Sequence, residues 1–296
     1  MHKKIKISVP ASSANLGPGY DSLGLALEIR DFVTAKLNDS GEVKVEIQGF
    51  GSESLPKDES HLIAKTILQT ANKFNLPITG FTLECENNIP QGRGLGSSAA
   101  AVVCGLVLAR ELAKADLSDD LLLQEASLIE GHPDNVAACL MGGLTISWQT
   151  EKGNVNTRSI NVNPAVVPIV GIPEKELSTK QARNLIPNQV PHVDAVFNSA
   201  RTALLVAALV ADPSSLFDAT ADRLHQEYRR SAYPESMQLV DDLRASGVAA
   251  CISGAGPTVL ALATKENSAL TTGVITSSGF TASVVSVTDT GVNVHN

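Results

Sequence analysis

The residues best suited to chemistry stand together in one short stretch: Pro90, Gln91, Gly92, Arg93, Gly94, Leu95, Gly96, Ser97, Ser98, Ala99 and Ala100. The stretch joins a strand-like run to a helix of small residues. Glycines permit positive φ and close backbone approach, and the first N–H groups of a helix have no intrahelical partner. Such a terminus attracts anions, phosphate above all. Ser97 and Ser98 add hydroxyls able to bind phosphate oxygens or a Mg²⁺ ion, and the alanines at 99–101 let the helix pack tightly behind them. A tight turn with close helix packing would use the same glycines. Gly94, Gly96 and Ala99 also fit the G-x-G-x-x-A spacing of dinucleotide folds. There, however, a parallel strand ending in an acidic residue should follow about 20 positions on, and here a second helix follows instead. A P-loop is excluded, since no Gly-Lys-Ser/Thr occurs.

Elements must hold that stretch in place, and their order reads β-rich and then α. Strand-like runs fall at 5–9, 24–37, 43–47 and 81–86, with a helical stretch at 61–74 between the last two. Apolar-periodic helices follow at 95–113 and 117–129, the second with Ser118 as N-cap and Asp119 and Asp120 in its first turn. A Gly142-Gly143 turn leads to a strand at 144–149. The polar segment 150–163 fits a hairpin or a crossover. The pattern then resets: strands at 166–170, 249–253, 258–264 and 281–287, and helices at 193–211, 236–245 and 266–272. This is an α+β protein with two cores, divided near residue 160 into domains 1–160 and 161–296, a division that suits a length of 296 residues.

Composition narrows the partners. The chain is 43% hydrophobic and 18% charged with a formal net charge of −8, and it carries no Lys/Arg run, so no nucleic-acid partner is expected. Anionic ligands must be met by placed groups. The apolar runs 99–109 and 203–210 are too short to span a bilayer and read as buried helices, so no membrane partner is expected. Met1-His2-Lys3-Lys4 leads directly into a strand pattern without a secretory apolar core, which makes the expected location cytoplasmic. Cys85, Cys104, Cys139 and Cys251 are scattered, with no C-x-x-C pair, and read as reduced buried thiols.

Three segments in this order resemble the GHMP family, the small-molecule kinases named for galactokinase, homoserine kinase, mevalonate kinase and phosphomevalonate kinase. They are Pro10-Ala11-Ser12-Ser13-Ala14-Asn15-Leu16-Gly17-Pro18-Gly19-Tyr20-Asp21, the Gly/Ser stretch at 90–100, and Ser253-Gly254-Ala255-Gly256-Pro257-Thr258. The resemblance spans almost the whole chain. It implies an N-terminal domain like those of ribosomal proteins, a ferredoxin-like C-terminal domain, and Mg-ATP and substrate in the cleft between them. Glu130-Gly131-His132-Pro133-Asp134-Asn135-Val136, Thr179-x-x-Ala-Arg183 and Leu224-His225-x-x-Tyr228-Arg229 resemble the branch that phosphorylates L-homoserine. A mevalonate-type branch would instead carry an Asp base where Asn135 falls. A relative acting on another small alcohol, such as a mevalonate-type or sugar compound, is the alternative within the family. An ATP- or amino-acid-sensing module without turnover is the alternative outside enzymes.

That resemblance assigns roles. ATP would lie on residues 90–100 and Mg²⁺ on Ser98 and one carboxylate, Glu130, with Glu125 as the alternative to it. A zwitterionic amino-acid alcohol needs a cation for its carboxylate, and Arg183 and Arg229 are the candidates, since guanidinium grips carboxylate bidentately. Asp21 is the candidate for the ammonium or the hydroxyl. Asn15, Asn135 and Thr179 supply orienting contacts, and Asn15, Asp21, Asn135, Arg183 and Arg229 form the catalytic set. His132, before Pro133, reads as a cap or turn residue. The family further implies a homodimer.

Overall fold

The computed structural model describes residues 4–177 and 179–295, with Thr179 and Lys180 described by backbone only. A seven-stranded sheet contains β1 (Lys4–Ala14), β2 (Leu23–Leu37), β3 (Val43–Gly49), β4 (Phe81–Asn87), β5 (Leu144–Gln149), β6 (Val155–Ile160) and β11 (Asn293–His295). Its main path runs β11-β1-β2-β4-β3, and β5 pairs with both β2 and β6. β3 and β4 are parallel, joined by the crossover helix α1 (Leu62–Lys73). A second, antiparallel sheet runs β10 (Thr281–Val284), β7 (Val167–Ile172), β9 (Val259–Ala263), β8 (Ala249–Ile252). The change of sheet falls between Ile160 and Val167, while the chain's last strand returns to pair with β1.

β1 shows how the sequence sets this plan. Ile5, Ile7 and Val9 alternate with Lys4, Lys6 and Ser8, so one face of the strand enters the core. The strand does not stop at Val9. After an irregularity at Pro10/Ala11 it runs on through Ser12 and Ser13 to Ala14, buried on both sides. Behind it lies α2 (Ser97–Ala113), whose residues Val102–Ala109 are all buried. A helix apolar all round belongs at the centre of a protein. α1, α3 (Asp119–Glu130) and α4 (Asp134–Met141) pack around it. Ser118 caps α3 as expected, its hydroxyl accepting from the Leu121 N–H at 3.3 Å.

Departures from the sequence reading have local causes. α4 is eight residues long and hidden by its Pro133 start and Gly142 stop. The segment 150–163 resolves as a hairpin, with Thr150 and Asn154 closing the turn into β6. The second-sheet edge strand ends at Val284, because the chain then leaves to bridge Val287 to Leu27 of the first sheet. α6 (His192–Val210) is a single 19-residue helix, and among the described residues it is the one long and apolar enough, by length and composition, to cross a membrane. The expectation of a short, buried apolar run at 203–210 is therefore corrected. α6 buries Leu205, Ala208 and Leu209 but leaves Val193 and Val196 exposed. All four cysteines are free and buried, and burial pushes the Cys139 thiol up to about 12.

Candidate active site

A cavity of about 560 Å³ is lined by Asn15, Gly92, Gly94, Gly96, Ser97, Ser98, Ala99, Glu130, His132, Asp134, Asn135, Leu177, Arg183, Asn184, Arg229, Gly254 and Ala255. The three motif segments form its floor by bonding to one another. Ser12 N–H donates to the Leu95 carbonyl at 3.0 Å, Gly254 N–H to the Ala14 carbonyl at 3.0 Å, and Thr258 N–H to the Arg93 carbonyl at 3.2 Å. Ser253 Oγ donates to the Gly94 carbonyl at 2.6 Å. Motifs about 80 and 160 residues apart in sequence thus become one surface.

At one end of the cavity the loop climbs into α2. Gly96 sits at φ 71° as the N-cap, and a Cβ there would lie 2.0 Å from Ser12 Oγ. Gly94 is as tightly placed, its hypothetical Cβ 2.4 Å from the Ser253 carbonyl oxygen. Only glycine permits both the conformation and the approach. The first helix-type bond of α2 is Ala100 N–H to the Gly96 carbonyl, at 2.8 Å, so the N–H groups of Ser97, Ser98 and Ala99 precede it and face the open end. Gly92, Gly94, Gly96, Ser97, Ser98 and Ala99 line the cavity. Leu95 and Ala100 are core residues beneath it. Arg93 turns away, binding the carbonyls of Pro173 and Glu174 and the Glu176 carboxylate, which ties the loop to the second sheet. Gln91 lies in an adjoining cavity of about 200 Å³ with Asp31, Leu55, His61, Leu62 and Asn87, a space that shares Ser97 and Ser98. Pro90 precedes the loop, just after β4.

Ser98 Oγ donates to Glu130 Oε1 at 2.6 Å, across the mouth of the α2 terminus. Glu125 lies elsewhere, held by Lys73 of α1 at 2.7 Å. Between the two carboxylates left open by the sequence, the structure brings only Glu130 to the cavity. This hard-oxygen pair suits Mg²⁺, which takes few protein oxygens and fills its shell with water and phosphate. No group of three or more His, Cys, Asp or Glu residues able to hold a metal occurs among the described residues.

Polar side chains line the middle. Asp134, 1% exposed, accepts from the Asn135 N–H and lies 2.7 Å from His132 Nδ1. Burial pulls the His132 pKa down, but the hydrogen bond and charge of Asp134 outweigh it and hold the ring above its ordinary value. Asn135 accepts from Ser12 Oγ at 2.9 Å. Asn15 spends its amide on the backbone, donating to the Gly254 carbonyl and accepting from the Asp21 N–H, each at 2.9 Å. Residues Asn15, Leu16 and Gly17 all have positive φ (67°, 52° and 89°), a turn that swings Tyr20 and Asp21 back toward the cleft.

At the far end the two arginines flank one ring: Arg183 and Arg229 lie 5.5 and 5.6 Å from the Tyr20 centroid. Arg183, from α5 (Thr179–Arg183), grips both carboxylate oxygens of Asp21 and reaches Tyr20 Oη at 3.1 Å. Burial lowers the Arg183 pKa, yet Asp21 more than offsets it and the guanidinium is held above its usual value. Asp21 and Arg183, expected as separate ligand groups, are thus partners of each other. Arg229 is 1% exposed, and its Nε donates to the Ala182 carbonyl at 3.1 Å. Thr179 begins α5, and its side chain lies outside the described residues.

Sequence reading passed over Tyr20, Asp134 and the buried pair Asp222 and His225. Tyr20 and Asp134 stood inside the motifs without a role. His225 stands in the motif at 224–229, whereas Asp222, 3.8 Å from it, lies outside every motif and carries no signal in the sequence.

Comparison with known proteins accords with this geometry. Residues 61–143 match the family model for the GHMP kinases N terminal domain and residues 204–271 that for the GHMP kinases C terminal. The chain belongs to the GHMP kinase family and has its two-domain α+β fold. Among its relatives, a homoserine kinase of Streptomyces avermitilis is 50% identical over 295 residues, covering 98% of this chain and 95% of that one. Another, from Streptomyces coelicolor, is 50% identical over 262 residues, covering 88% and 84%. The crystal structure of homoserine kinase from Cytophaga hutchinsonii superposes with a TM-score of 0.86 at 28% identity, covering 99% and 97% of the two chains.

Proposed function

We propose that this chain transfers the γ-phosphoryl group of ATP to the hydroxyl of L-homoserine, giving O-phospho-L-homoserine for threonine synthesis. The observation that carries the reading is the polarity of one cavity. An anion-binding helix start with Ser98 and Glu130 lies at one end, and at the other lie two arginines, one of them paired with Asp21. The relatives' activity supports it.

In this reading the N–H groups of Ser97, Ser98 and Ala99 hold phosphate oxygens. Ser98 and Glu130 hold Mg²⁺, which when bound neutralises phosphate charge. Arg183 and Arg229 bind the acceptor's carboxylate, and Asp21 its ammonium. The acceptor hydroxyl attacks the γ-phosphorus as the bond to the β-phosphate oxygen breaks. Its proton passes to solvent or to a phosphate oxygen, and a strong base is not required in a loose transition state. Asn135 orients the hydroxyl. A homodimer in the cytoplasm is the expected setting.

The test is ADP release with Mg-ATP against L-homoserine, mevalonate and galactose. Turnover with homoserine alone is expected; turnover with mevalonate and none with homoserine contradicts the reading and favours the other-alcohol alternative.

A further inference from the structure

Arg229 is a long, flexible cation in a nearly dry setting, and something must fix where its guanidinium points. Its Nε is tied to the Ala182 carbonyl, which leaves the other end of the fork to be aimed. The group beside that end is His225, a residue with no exposed surface, whose Nδ1 lies 3.2 Å from Arg229 Nη1. The other ring nitrogen, Nε2, lies 2.7 Å from the carbonyl oxygen of Gly17, inside the turn that carries Tyr20 and Asp21. The imidazole also packs on Tyr20, with centroids 5.1 Å apart. His225 therefore bridges the acceptor loop to the buried arginine.

We infer that His225 is the positioning residue that aims Arg229 at the carboxylate of the acceptor, acting as a neutral ring with its proton on Nε2. This rests on the proposed acceptor. The tautomer follows from the partners: a carbonyl oxygen only accepts, so Nε2 must donate, and a guanidinium only donates, so Nδ1 must accept. An imidazolium would turn an N–H toward a cation and lose that bond. The surrounding charges are Asp222, 3.8 Å from Nε2, Arg229 itself, and Asp21 beyond Tyr20. Burial, the largest influence, holds the ring's pKa below its ordinary value despite Asp222. Asp222 in turn is occupied as a cap, accepting from the N–H groups of Leu224, His225 and Gln226 and from Asn198 Nδ2.

Two substitutions in the full chain separate the two bonds. His225→Gln keeps a donor for the Gly17 carbonyl and removes the acceptor facing Arg229; His225→Asn keeps an acceptor near the Nδ1 position. Each is assayed with L-homoserine and with 3-aminopropan-1-ol, which has the same hydroxyl and ammonium but no carboxylate. His225→Gln should raise KM for homoserine about 10- to 100-fold, the range for loss of a hydrogen bond to a charged group. KM for ATP should stay within about twofold, and the preference for homoserine over 3-aminopropan-1-ol should fall by the same factor as KM rises. His225→Asn should recover part of that preference. An unchanged preference in His225→Gln overturns the inference. A wild-type chain that ignores homoserine removes the acceptor reading instead, and that is seen without any variant. Should neither variant fold, the ¹⁵N resonances of His225 in the wild-type chain decide: a bare Nδ1 and a protonated Nε2 at neutral pH support the assignment, and a proton on Nδ1 overturns it.

Discussion

At the α2 end of the cleft the groups that face the cavity are mostly main chain: the N–H groups before the first helix bond and loop glycines at positive φ, with Ser98 and Glu130 beside them. At the α5 end they are the side chains of Arg183 and Arg229, held from behind by Tyr20, Asp21 and His225. In the proposed reading the first end takes a group common to every ATP, so geometry suffices and a short contiguous run can build it. The second would then tell one small acceptor from another, and discrimination needs directional, charge-matched contacts. Those contacts come from segments about 160 to 210 residues apart in the chain.

The contrast predicts different failures. Gly96→Ala places a Cβ 2.0 Å from Ser12 Oγ at φ 71°, so either the loop or β1 must move. We expect kcat/KM to drop by about 100-fold for every acceptor, as with an ångström-scale misplacement of reacting groups. Stability should fall by about 2 kcal/mol in chemical denaturation. Retention of wild-type kinetics would show that the loop is not rigidly set. Next in size, Glu130→Gln should raise the Mg²⁺ concentration for half-maximal activity about 10-fold while leaving KM for homoserine within twofold. Smallest, Glu125→Gln loses only the pair with half-exposed Lys73, costs under about 1 kcal/mol, and should leave the Mg²⁺ titration unchanged. A Mg²⁺ shift in Glu125→Gln and none in Glu130→Gln would exchange their roles.

The same contrast explains what the sequence disclosed. The α2 end is written in consecutive residues, so Gly94, Gly96, Ser97 and Ser98 could be picked out before any fold was known, although a tight turn or a dinucleotide loop would use the same glycines. The α+β order and most helices were equally readable, because apolar period is local. Partnership was not. Arg183 and Asp21 were each visible, but their ion pair joins positions that nothing in the sequence places side by side. Asn15 reads as a ligand candidate and also as turn chemistry; its amide serves the Asp21 turn and the Gly254 carbonyl, a use visible only once the two sheets meet. His225 stands in the motif at 224–229, yet the pattern does not show its ring contacts to Gly17 and Arg229. Short elements such as α4 and β11 escaped because eight and three residues carry too little periodicity to register.

The division into a donor end and an acceptor end is tested most directly by steady-state kinetics of Ser98→Ala and Arg183→Ala, varying ATP, Mg²⁺ and homoserine in turn. Ser98→Ala should lower kcat and alter the Mg²⁺ dependence with little change in KM for homoserine. Arg183→Ala should raise KM for homoserine about 10-fold or more while sparing KM for ATP. Wild-type constants in both variants, or the same pattern of change in both, would contradict a cleft built as two separable halves.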